Sequence, residues 1–64
     1  MSNANFGQER IDEPTPHGGD YSLVFFFDEN GERTTPGNAK EFIIQEFTKD
    51  GNLIFETKTE ARRR

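Results

Sequence analysis

Apolar residues fall into three short runs, with polar stretches between them. The first is Tyr21-Ser22-Leu23-Val24-Phe25-Phe26-Phe27, the second Phe42-Ile43-Ile44 followed by Phe47, and the third Leu53-Ile54-Phe55. Aromatic and branched side chains of this kind favour extended backbone. The first run is continuous, which is the pattern of a strand covered on both faces. Its apolar core, Leu23 to Phe27, is five residues long. A membrane-spanning helix needs about 20, so no membrane span is expected.

The polar breaks repeat. Phe27-Asp28-Glu29-Asn30-Gly31-Glu32 is matched 20 positions later by Phe47-Thr48-Lys49-Asp50-Gly51-Asn52. Each places Asn or Asp before Gly, a pair that tolerates the left-handed conformations of tight turns. The spacing predicts two turns of one kind in a small meander.

The segment from Asn38 to Thr48 has two readings. As a helix, Asn38 caps it, Glu41 completes a capping box, and Ala39, Phe42, Ile43 and Phe47 share a face. As a strand, it pairs with 52–59 through the Lys49-Asp50-Gly51 turn. Phe47, Ile43, Leu53 and Phe55 then line one face, and Phe42, Ile44 and Ile54 the other. Adjacent Ile43 and Ile44 with a tight turn favour the strand. The expected fold is mainly β: a three-stranded antiparallel sheet with strands near 21–27, 41–48 and 52–59. Thr35 to Ala39 forms a loop with room for one helical turn. The alternative is an α+β fold of β-α-β order, with a helix over 39–49.

Residues 1–20 hold two prolines and three glycines, and their apolar residues are only Met1, Ala4, Phe6 and Ile11. That composition offsets little ordering entropy and predicts a flexible N-terminal arm. Phe6 and Ile11 are its two means of packing onto the rest. The organisation expected is an arm (1–20), a β domain (21–61) and a basic tail (62–64).

Composition narrows the function. The 64 residues carry 12 acids and eight bases, and three of the bases are Arg62, Arg63 and Arg64. Residues 1–61 therefore carry a charge of −7. Such a body repels phosphate, so nucleic acid is a disfavoured partner, reached only weakly through the Arg tail. The absence of Cys removes disulfides, thiolate metal sites and thiol catalysis. The N-terminus has no apolar signal segment, and the expected location is cytoplasmic.

Candidate chemistry is sparse. His17 precedes Asp20, the arrangement of a base oriented by a carboxylate, yet Ser2 and Ser22 lie in no nucleophile motif, and a solvated linker histidine is the expectation. Gly18-Gly19 reads as linker or hinge. Counted from Asp28, a calcium loop needs Gly at the sixth position and Glu at the twelfth, where Arg33 and Ala39 stand. Asp50-Gly51-Asn52 fails likewise, and Pro36-Gly37-Asn38 lacks the phosphate-binding pattern. The aromatic run Phe25-Phe26-Phe27 is flanked by Asp20, Asp28 and Glu29, and so reads as core. No catalytic residue, metal or cofactor is assigned.

The opening Met1-Ser2-Asn3, with Asn5 and Gly7, and the positions Ala39, Glu41 and Gly51 resemble the small early inhibitors of host RNA polymerase in T7-like phages. Glu56 and Lys58 stand where that family has paired arginines. The resemblance implies a class only, a small protein that occupies another protein's surface as an inhibitor or DNA mimic. The expected function is a non-enzymatic interaction module that binds a protein partner, or itself as a homodimer. It would do so through an apolar sheet face or edge and an acidic surface. The residues expected to carry binding are Phe25, Ile44 and Ile54, with Glu46 and Glu56 beside them.

Overall fold

A computed structural model describes residues 6–60. The basic tail over 62–64 and the start of the chain, including Met1-Ser2-Asn3, lie outside the described residues. Four strands follow one another: β1 (Gln8–Ile11), β2 (Tyr21–Phe27), β3 (Glu41–Phe47) and β4 (Leu53–Glu60). They form one antiparallel sheet in the order β1-β2-β3-β4. The mainly β expectation is met with one strand more than the sequence pattern gave.

The extra strand falls within residues 1–20, read from the sequence as an arm, and ties their 8–11 part to the sheet. Gln8–Ile11 pairs with β2, from Gln8 opposite Phe25 to Ile11 opposite Ser22. Only Gln8 of the four side chains escapes full exposure, so no apolar periodicity marks the segment. Its pairing is a backbone matter: β2 has an open edge, and β1 supplies hydrogen bonds, with Gly7 C=O accepting Phe26 N–H at 2.9 Å.

The helix over 39–49 does not form. Phe42 pairs with Phe26 and Ile44 with Val24 along the full length of β2. A helix would satisfy its own backbone but leave the β3 edge of β2 unpaired. Among the described residues, helical geometry is confined to one 3₁₀ turn, Pro36–Asn38, in the loop where a single turn was expected.

The two Gly turns are built alike. Gly31 and Gly51 have φ of 81° and 87°. Gly31 N–H donates to Asp28 C=O, and Gly51 N–H to Thr48 C=O, both at 2.9 Å. Asp28 Oδ1 accepts the N–H of Asn30 and Glu32, and Thr48 Oγ1 accepts that of Asn52. The shared motif therefore includes the oxygen-bearing side chain at its first polar position, as well as the glycine.

The register sorts side chains onto two faces. Tyr21, Leu23, Phe25 and Phe27 share a face with Phe47, Gln45, Ile43 and Glu41. Ser22, Val24 and Phe26 share the other with Glu46, Ile44 and Phe42. A bulge between Glu46 and Phe47 resets β4. Leu53 pairs with Phe47, Phe55 with Glu46, and Ile54 becomes the extra residue. Phe55 thus joins Ile44 and Phe42, not Ile43 and Leu53 as the sequence pattern had it.

The sheet is a single layer, and its apolar core is thin. Among the described residues, Phe26 and Ala39 are the buried apolar ones, and no large side chain is fully enclosed. The Phe26 and Phe42 rings meet edge to face, 5.7 Å apart. Replacing Phe26 by Ala should lower the free energy of unfolding by about 3 kcal/mol. Leu53→Ala, at a side chain in a residue 52% exposed, should cost less than about 1 kcal/mol. Urea unfolding followed by circular dichroism checks both.

Candidate functional site

The nine residues joining β1 to β2 do not hang free. Thr15-Pro16-His17-Gly18 is a turn closed by Gly18 N–H donating to Thr15 C=O at 3.1 Å. Proline suits its second position, because its fixed φ is already that of the turn. Thr15 Oγ1 accepts Gly19 N–H at 2.7 Å. The far end is tied to the β3–β4 turn: Asp20 N–H donates to Phe47 C=O at 2.7 Å, and Asp20 Oδ2 accepts Lys49 N–H at 2.8 Å.

This turn places His17 over Glu46. His17 Nδ1 lies 3.1 and 3.0 Å from the two carboxylate oxygens, and His17 N–H donates to Oε1 at 3.2 Å. An ionised carboxylate only accepts, so Nδ1 carries the hydrogen. The imidazole also stacks on Phe55, with centroids 3.7 Å apart and planes at 16°. The register explains the meeting. Ile11, Ser22, Glu46 and Phe55 form one row across the sheet, and the connection crosses it.

Glu46 is 5% exposed. Loss of water around it pushes its carboxyl up. The His17 ring, Thr15, the His17 N–H and the charge on His17 together pull it down, and the net result lies below the ordinary 4.5. His17, read from the sequence as a solvated linker residue, is instead a structural tie. Its carboxylate is Glu46, since Asp20 is occupied with Lys49. Gly19 is needed where the connection closes, because a Cβ there would stand 2.7 Å from Thr15 Oγ1, 2.8 Å from Phe47 O and 3.2 Å from Ile54 Cδ1.

The clasp leaves the two faces unequal. Every buried strand residue (Ser22, Phe26 and Glu46) lies on the clasped face. No strand residue of the other face is buried. We call it the open face. Its apolar centre is Leu23, Phe25 and Ile43, with the stacked rings of Tyr21 and Phe47 at one end, 5.3 Å apart. Arg10 lies 4.0 Å over the Tyr21 ring and Arg33 4.9 Å over Phe25. Gln45 donates to Glu56, and Lys58 pairs with Glu41 at 3.4 Å.

The residues expected to bind do not form one patch. Phe25 and Glu56 are on the open face, Ile44 and Glu46 on the clasped face, and Ile54 at the bulge. Glu46, expected beside an exposed apolar surface, is enclosed by a connection that the sequence pattern left unstructured. Phe25 and Ile44 are half-buried and Ile54 is 40% exposed. The clasp residues Thr15, His17 and Gly19 were missed. The signal available was a carboxylate at 46 in alternation with Phe42 and Ile44, an inward position that needs a donor.

Among the described residues, no three His, Asp or Glu side chains converge as a metal site requires. No helix there is long and apolar enough to cross a membrane. No family model, no curated protein and no solved structure matches the chain.

The Glu46 carboxyl is depressed in the folded state, so its contribution to stability is present above about pH 4.5. It is lost as pH falls through the lower folded value. Glu46→Gln should remove that component, so that the stability difference between wild type and variant narrows below pH 4.5. Thermal unfolding across pH 2–7 checks the sign. Gly19→Ala should lift the connection, and the ring-current shifts of His17 protons over Phe55, read by NMR, should collapse.

Proposed function

We propose that this chain is a small non-catalytic protein-interaction module that binds through its open face. One observation carries the reading: the β1–β2 connection is seated on one end of one face, where Ser22 and Glu46 are buried, and no strand residue of the other face is buried. A single sheet is only half of a stable architecture, since its apolar face must meet a second layer. The open face pairs an apolar centre with charged groups at both margins, the composition of an interface core and rim. The acidic body adds solubility. His17 and Glu46 serve in this reading as the tie that fixes which face stays open.

The test uses a photo-crosslinking residue placed in the full chain at Phe25 or Ile43, and in a separate variant at Thr57 on the clasped face. Irradiation of intact cells should join a polypeptide, either another protein or a second copy, to the open-face positions and not to Thr57. Equal labelling from both faces, or none from the open face, would overturn the assignment.

A further inference from the structure

We infer that the occupant of the open face is a second copy of this chain, packed face to face about a two-fold axis parallel to the strands. This rests on the interaction reading and names its partner. Charge placement on the paired rows supports it. One row across the open face runs Arg10, Leu23, Gln45, Glu56, with Arg10, which also pairs with Asp12 at 2.6 Å, at the β1 edge and Glu56 at the β4 edge; the next row runs Gln8, Phe25, Ile43, Lys58. The last row ends the same way as the first. Arg33 bridges to Phe27. Its neighbour Thr34 donates to Phe26 C=O on the β1 side, and the row continues through Glu41 to Glu60.

A two-fold axis along the strands, between β2 and β3, lays each β1 edge over the partner's β4 edge and each row over its own equivalent. Arg10 then faces Glu56 of the partner subunit, Arg33 faces Glu60 of the partner subunit, and each pairing occurs twice. The apolar centre closes on itself. Aligned sheets pack about 10 Å apart and within about 30° of each other, a gap that arginine and glutamate side chains span. The other in-plane axis, perpendicular to the strands, lays β1 over β1 and brings the Arg10 and Arg33 margins together. It is disfavoured by like charge.

The β4 edge is the competing contact. It is broken by the Ile54 bulge and carries alternating Glu56, Lys58 and Glu60, the features that discourage edge pairing.

The test is the mass of the purified full chain by sedimentation equilibrium from micromolar to millimolar concentration. The expected mass is twice 7.4 kDa. Arg10→Glu and Glu56→Arg should each weaken the dimer about tenfold or more, and the two together should return it to within about threefold of wild type. Both residues are exposed in the single chain, so circular dichroism of the sheet should not change. The neutral variants R10Q and E56Q, expected to weaken the dimer less, repeat the test if either reversal disturbs the fold. A single-chain mass at every concentration would overturn the inference, as would a dimer indifferent to these changes or not rescued by the double reversal. A single-chain mass alongside crosslinks from Phe25 to a different protein would sink the dimer and leave the interaction reading standing. The absence of both would sink both.

Discussion

A one-layer sheet has two faces, and among the 55 described residues every buried strand side chain lies on one of them. Everything else in this structure follows from how that face is held. The Glu46 carboxylate accepts the ring N–H and the backbone N–H of His17. The imidazole lies flat on Phe55, and Asp20 pins the end of the same connection to the β3–β4 turn. A buried carboxylate without donors would be costly. Here its donors come from the segment that shields it, so burial and bonding support each other. Ser22, whose short side chain is also buried, sits between Ile11 and Glu46 in the row beneath.

Closing one face defines the other. The bulge at Ile54 moves Phe55 to the clasped face, where His17 stacks on it, and places Leu53 beside Phe47 on the open face. The open face carries Arg10 and Arg33 on the β1 side, and Glu56 and Glu60 flanking Lys58 on the β4 side. That polarity arises because β1 contributes Arg10 at an outward position of the same face on which β4 contributes Glu56 and Glu60. In the proposed assembly, the placement of Arg10, Arg33, Glu56 and Glu60 makes the face self-complementary under one two-fold axis and not under the other. Fold and proposed assembly therefore share a cause in the meander topology.

The strands β2, β3 and β4 and both Gly turns were legible in the sequence, because apolar runs and Asn-Gly or Asp-Gly pairs report local preference directly. The helix alternative at 39–49 was also a sound local reading, since Asn38, Glu41 and Gly51 are good helix signals. It lost to the seven-residue pairing with β2, a non-local term. Strand β1 left no trace, because an edge strand of Gln8, Glu9, Arg10 and Ile11 is recruited by backbone hydrogen bonds. The clasp was hidden for a related reason. His17 and Glu46 are 29 positions apart, and their meeting depends on β1 turning the intervening chain back over the sheet. Phe55 was assigned to the wrong face because a bulge of one residue reverses every side chain beyond it.

The central claim is that the clasped face is covered from within and the open face from without. Methyl NMR with a soluble paramagnetic probe reads this directly at millimolar protein. Leu23 and Ile43 on the open face should be shielded at least as well as Val24 and Ile44 on the clasped face, with Ile54 at the bulge strongly attenuated. Attenuation of Leu23 and Ile43 matching that of Ile54 would show an open face bare in solution and would contradict the account.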